Sequence, residues 1–375
     1  MTCTDAPRAT APRAVDLGYP KFVIKADDSQ GMGTSVADQG VRFGVLLNMG
    51  ANLGETPEAV FDLTAEQATA AEQLGYDELW VTEHHFIRFG INPSAITTAA
   101  FLLGRTTRIQ VGTAVVLSPL LHPVELAERA ALLDQFSGGR FALGLGRGGY
   151  RRDYDVLGVD FTRWDDEPLA SAQALLDIWA RPTDDAVPPA DDVVDVQPPP
   201  LTHPHPELLL ATSSAPGVEF AARNGIALQH YFATPVGARV TAENRYGELR
   251  GKGSAPAHLH TLIVVVDSAP DRRDDLANAL RESFRAGDHP HVPQSSNRHL
   301  LPDGRPASPD AMARMVADQA IVGSPAHVVD ELGQFIETTG ASRIAVYFES
   351  IADKKLTLRS LEDFASVVAP ALGAG

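Results

Sequence analysis

Short apolar blocks alternate along this chain with longer stretches whose apolar residues recur at helical spacing. The blocks that read as strands are Val41–Leu47, Leu79–Thr82, Arg108–Thr113, Phe141–Leu145, Leu208–Ala211, Ile226–Gln229, His258–Val266 and Arg343–Phe348. Between and after them, Pro57–Leu74, Asn92–Gly104, Pro123–Phe136, Leu169–Trp179, Ala215–Asn224 and Leu358–Val368 read as helices. The punctuation agrees with this division. Gly75 stands where a left-handed cap ends a helix, Pro123 suits a first turn, and Gly138-Gly139 stop the helix that follows it. Strand and helix alternating about eight times predict an α/β fold, a (β/α)8 TIM barrel with insertions.

Three segments break the rhythm. Residues 1–40 lack sustained periodicity and read as an N-terminal extension to a barrel domain over 41–375. Arg181–Pro206 carries proline runs and predicts an excursion over the surface. Gly287–Pro309, rich in His, Pro, Gly and Asn, falls before the last strand, where a barrel would carry a mouth loop or lid.

Composition narrows the function classes. The 375 residues include 31 Lys and Arg against 48 Asp and Glu, a net charge of −17, which argues against nucleic acid or an anionic membrane surface as partner. A single cysteine, Cys3, excludes a disulfide scaffold or a cysteine metal site and suits a reducing cytoplasm. No apolar run approaches the ~18 residues that span a bilayer, and the N-terminus has no apolar signal core.

The chemistry gathers between Thr82 and Tyr154, where three strands end in polar or glycine-rich turns. Parallel α/β folds place their active sites at such ends. Glu83-His84-His85 follows a strand directly, so the two imidazoles point to opposite sides and one can face a pocket. A structural pair is the bland alternative, and adjacent histidines without further ligands do not make a metal site. Gly144-Leu-Gly146-Arg147-Gly148-Gly149 matches G-x-G-x-x-G but follows the fourth strand, with no acidic strand end about 20 residues on, which argues against a Rossmann fingerprint. Its glycines suit close approach of a planar ring or phosphate, and Arg147 offers a fork donor; a surface ion pair is the competing role. Thr212-Ser213-Ser214 precedes a helix and reads equally as an anion site or as simple capping. His203, His205, His258, His260, His289, His291 and His299 read as solvated or packed.

At these residues the chain resembles the bacterial luciferase-like flavin-dependent monooxygenases. The runs Thr82–Gly90, Arg108–Ala114, His122–Glu128, Leu133–Arg140 and Gly146–Gly148 follow that family in order and spacing, and Ala211–Pro216 and Gly323-Ser-Pro are similar to it. The resemblance covers most of 41–370. It implies a barrel binding reduced FMN, with a deazaflavin as the alternative, and reaction with O2 through a flavin hydroperoxide to oxygenate a small organic substrate. A separate flavin reductase would supply the reduced FMN, and a homodimer is the usual assembly. The resemblance also keeps open a deazaflavin-dependent hydride-transfer enzyme and a non-catalytic flavin-binding barrel. His84 matches the family's catalytic histidine. Arg147 and Ser213, with Ser214 beside them, match positions holding the flavin phosphate. Ala114-Val115 matches a strand end that often carries a non-prolyl cis peptide behind the flavin ring, and Gly146 and Tyr150 belong to the same cofactor-facing turn. The luciferase subunit has a reactive cysteine where this chain has Gly146, so light emission is not implied.

Overall fold

The computed structural model describes residues 40–50, 55–165, 168–180, 196–251, 253, 255–269, 271–287 and 308–374. The extension 1–39, most of the proline-rich excursion and nearly all of the expected lid lie outside the described residues. The strands are β1 (Arg42–Leu47), β2 (Glu78–Val81), β3 (Gln110–Thr113), β4 (Val116–Leu117), β5 (Phe141–Gly146), β6 (Glu207–Leu210), β7 (Ala227–His230), β8 (Leu259–Val266), β9 (Ile321–Gly323) and β10 (Arg343–Tyr347). The helices are α1 (Pro57–Leu74), α2 (Ala95–Arg105), α3 (Pro123–Ser137), α4 (Arg151–Leu157), α5 (Thr162–Asp165), α6 (Leu169–Trp179), α7 (Ala215–Asn224), α8 (Val236–Arg250), α9 (Arg272–Gly287), α10 (Pro309–Gln319), α11 (Pro325–Thr339) and α12 (Lys354–Asp363).

Strands β1, β2, β3, β5, β6, β7, β8 and β10 pair in parallel in that order, and β10 pairs back to β1, closing the barrel. The closure explains the sequence pattern. Strands covered on both faces need no polar side, so they read as continuous apolar runs rather than alternating ones. Two short strands escape that pattern. The two-residue β4 pairs with β5, and β9 pairs with the far end of β8 outside the ring. The helices α8 to α11 were likewise not separated by period alone. Helix starts follow the side chains: Thr56, Ser94, Ser214, Ser308, Ser324 and Asp353 each accept a backbone N–H of the first turn. The second helix accordingly begins at Ala95 rather than Asn92, because Asn92 spends its amide on the Thr82 carbonyl at 2.6 Å. What is described of the proline-rich stretch is pinned rather than loose. Thr202 donates its backbone N–H and its hydroxyl to the buried Asp134 carboxylate at 2.7 and 2.8 Å.

A polar plug closes the N-terminal end of the barrel. Glu78, Gln110, Glu207 and Arg343 are the first residues of β2, β3, β6 and β10. Arg343, fully buried, donates Nε to Glu78 at 2.8 Å and Nη2 to Glu207 at 3.0 Å, and lies over the Trp80 ring at 5.0 Å. The Trp80 indole fills the interior above, which requires Gly112 opposite it: a Cβ there would stand 2.2 Å from the ring. With the lower end closed by charge pairs and an indole, access to the interior is confined to the carboxyl ends of the strands. No helix among the described residues is long and apolar enough to cross a membrane.

Candidate active site

The end of β2 is held by its own acid. Glu83, buried, accepts the backbone N–H of Ala95 at 2.8 Å on one oxygen and that of Leu117 at 3.1 Å on the other. It thereby ties the start of α2 and strand β4 to the turn carrying the two histidines. His84 follows with its ring edge-on to Phe89 at 5.4 Å. Its Nδ1 is enclosed and has no hydrogen-bond partner, while the residue as a whole is half-buried. Gly90 makes room for that ring, since a Cβ at this position would lie 2.4 Å from Nδ1. Burial first, and the neighbouring His85 second, depress the His84 pKa to about 4, leaving a neutral imidazole at ordinary pH.

His85 turns the other way. Its Nε2 lies 3.8 Å from the Glu83 carboxylate, and that acid, together with Asp153, raises its pKa. Asp153 of α4 is buried with Oδ1 unpartnered, and burial lifts its carboxyl to about 7 against the pull of His85 and Arg152. Adjacent residues thus titrate in opposite directions, the arrangement that separates acid and base roles. The wall behind Phe89 is equally fixed. Glu349 accepts both the Asn48 and the Met49 backbone N–H at 2.6 Å, and Asn48 donates to the Phe89 carbonyl at 2.6 Å.

At the end of β3 the Ala114–Val115 peptide is cis. Val115 occupies the space that a side chain at Gly146 would need: a Cβ on Gly146 would fall 2.3 Å from the valine Cγ2. The missing thiol therefore has a steric explanation, which the sequence left open. Introducing it as Gly146→Cys should cost about 1–3 kcal/mol by overpacking, and Val115→Ala in the same chain should restore most of that. Paired thermal-unfolding measurements check this; a single Gly146→Cys variant as stable as the parent overturns it.

The turn after β5 places the Arg147 guanidinium over the Trp164 ring at 3.8 Å. Trp164 donates its indole N–H to the Gly148 carbonyl at 3.2 Å, and Tyr154 its hydroxyl to the Arg147 carbonyl at 2.7 Å. Gly148 takes a positive φ of 78° that a side chain would resist. Tyr150 is half-buried, and burial followed by the Asp153 charge pushes its phenol up to about 12, so it remains a neutral donor. After β6, Ser214 uses its hydroxyl to accept the Gly217 N–H at 3.2 Å, so the capping role is realised there; Ser213 is exposed. The Ala211 N–H donates to the Leu145 carbonyl at 2.9 Å, which sets the β5 and β6 ends side by side.

His84, Ala114, Val115, Gly146, Arg147, Tyr150, Ser213 and Ser214 therefore all lie at or just after the ends of four strands that are consecutive in the ring. Trp164, Asp153, Asn48 and Glu349 are silent in the sequence, because each joins the rim by a contact distant in the chain. His230 and Glu243 are silent too, and His260 reads there only as solvated or packed. These gather with their ligand atoms within 4.8 Å of one another, yet their chain spacing is that of no metal motif.

The comparisons with known proteins agree with this fold. Residues 41–343 match the model of the luciferase-like monooxygenases. The chain is 30% identical over 354 residues to 4-hydroxyprotoasukamycin monooxygenase of Streptomyces nodosus subsp. asukaensis, spanning 88% of this chain and 92% of that one. It is 28% identical over 341 residues to the alkanal monooxygenase alpha chain of Photobacterium leiognathi, spanning 85% and 95%. Among solved structures it is similar to the oxygenating constituent of 3,6-diketocamphane monooxygenase from Pseudomonas putida in complex with FMN, with a TM-score of 0.67, 20% identity, and 88% and 98% of the two chains covered. A closed parallel barrel with its rim chemistry on β2, β3, β5 and β6, matched by the family model over most of its length, places this chain in the luciferase-like monooxygenase family.

Proposed function

We propose that the chain is the oxygenating component of a two-component monooxygenase, binding reduced FMN delivered by a separate flavin reductase and using O2 to oxygenate a small organic substrate, as a homodimer. The observation that carries this reading is the neutral His84, its Nδ1 enclosed and unpartnered, on the rim that also bears Arg147. The donor set suits a reduced flavin. Arg147, with Ser213 and Ser214, would hold the phosphate; the Ala114–Val115 peptide, Gly146 and Tyr150 would bear on the ring. Bound reduced FMN supplies the two electrons that leave one oxygen atom of O2 in the product and the other in water. The chain's own work is then to position, to keep the mouth dry and to handle a proton. A neutral imidazole can take up a proton without first losing one and can then return it, and Phe89 keeps water from one edge of it.

Anaerobic titration with reduced FMN, followed by O2 uptake with candidate substrates, tests the proposal. Saturable binding supports it. No binding at any accessible concentration sinks it, and tight binding of a reduced deazaflavin in place of FMN redirects it to hydride transfer. The phosphate assignment has its own check. Arg147→Ala should weaken reduced FMN by about 1.5–3 kcal/mol, roughly 10–150-fold, and leave reduced riboflavin almost unchanged. Equal losses for the two flavins would move the phosphate elsewhere.

A further inference from the structure

Behind the rim, on the outer wall of the barrel, three side chains converge without an assigned role. His230 ends β7, His260 lies beside it in register on β8, and Glu243 comes down from α8. The imidazole Nε2 atoms of His230 and His260 lie 2.8 and 3.1 Å from the same carboxylate oxygen, Glu243 Oε1. Both histidine side chains are 1% exposed, and Glu243 is 16% exposed. Yet neither His230 Nε2 nor Glu243 Oε1 has a hydrogen-bond partner of acceptable direction. At these distances an ordinary histidine–carboxylate bond would be aligned. Nitrogens close to an oxygen but not aimed at it suit ligands that face a common point between them.

We infer that His230, His260 and Glu243 form a Zn2+ site, with a water reaching the fourth position past the partly exposed Glu243. Two imidazoles and one carboxylate are a donor set zinc accepts, and each comes from a separate, packed element. Tetrahedral bonds of about 2.0–2.1 Å put ligand atoms roughly 3.3 Å apart; the two nitrogen–oxygen spacings need only a few tenths of an ångström of opening, and the two imidazole nitrogens already lie within 4.8 Å of each other.

Arg239, on the same helix, is close enough to influence Glu243 but gives its hydrogens to the carbonyls of Thr234, Tyr231 and Thr261 at 2.9, 2.9 and 3.1 Å. It makes no ion pair with Glu243 among the described residues, so the largely buried carboxylate lacks the cation that such a charge requires. Arg239 also disfavours hard cations held by charge alone and leaves an imidazole-preferring ion as the better fit. His258 accepts the Leu228 N–H at 3.0 Å, and Phe335 of α11 meets His260 edge-on at 5.5 Å; neither competes for the ion. A bound zinc would fasten α8 to β7 and β8, and with them the connection that begins at Tyr231. The site would be structural, stiffening the mouth from behind.

The test uses the full, tag-free chain stripped with chelator. Zn2+ titrated by calorimetry should bind at one equivalent and raise the melting temperature, and Co2+ in its place should give the visible bands of a tetrahedral complex. Glu243→Gln keeps the shape and removes the anionic ligand. It should weaken Zn2+ by roughly 100-fold or more, since even outer-shell partners are worth about 10–100-fold, while unfolding in chelator stays unchanged. Zinc binding that survives Glu243→Gln intact locates the ion on other histidines and overturns the proposal. A wild-type chain with no tetrahedral Co2+ bands overturns it too, whether or not the variant folds, and leaves a histidine–glutamate hydrogen-bonded cluster.

Discussion

His84→Ala should lower turnover by about 100- to 10,000-fold, the range of a lost positioned proton-transfer group, while reduced FMN still binds. Its Nδ1 is enclosed and unsatisfied, and Gly90 leaves space that no side chain could share with it. Single-turnover oxidation with pre-bound reduced FMN separates the chemical step from binding. An unchanged single-turnover rate in His84→Ala would instead support a non-catalytic barrel. The same residue should mark the acid limb of stability. Its folded pKa of about 4 lies below the ordinary 6.5, so the unfolded chain takes up the proton first as pH falls. Stability is therefore unaffected by His84 above about pH 6.5, declines as pH drops from there toward 4, and carries the full penalty below that. His84→Ala should flatten the decline over that interval, read as denaturation midpoints against pH.

Arg343→Met should destabilise the barrel by about 3–5 kcal/mol, because it strands the Glu78 carboxylate at 1% exposure, with the Trp80 indole N–H at 2.8 Å and, as its remaining cation, the half-exposed Arg42 at 3.2 Å. The methionine also loses the guanidinium face over Trp80. Arg42→Ala, which removes the outer member of the pair, should cost no more than about 1 kcal/mol. Converting Glu78 to Gln in the Arg343→Met background should recover much of the loss, since the fully buried carboxylate is then gone and Glu207, 35% exposed, keeps the Gln110 amide at 3.0 Å. Urea midpoints of the four chains decide this. Equal effects at Arg42 and Arg343 would show that the plug is solvated rather than dry.

How far the sequence could be read follows from how local each signal is. Leu208–Leu210 and Phe141–Leu145 are legible as strands because burial on both faces removes polar positions, whatever the neighbours are. Thr56, Ser214 and Gly75 mark helix ends because their bonds close within three or four residues. The strand-end chemistry at His84 and Arg147 is legible for the same reason, as both residues sit directly after runs that period alone identifies. β4 and β9 were missed since two or three residues carry no period, and only pairing with β5 and β8 makes them strands.

Local pattern alone was enough for a parallel α/β barrel, for its polar and glycine-rich strand ends and for the family resemblance. Whatever depends on contacts distant in the chain came only with the closed fold. It set Val115 into the space beside Gly146, laid Arg147 on Trp164, left the His84 Nδ1 dry and drew His230, Glu243 and His260 together. The physical reason is that period and capping are written within one turn of backbone, whereas desolvation and steric exclusion exist only once strands far apart in the chain have closed the ring.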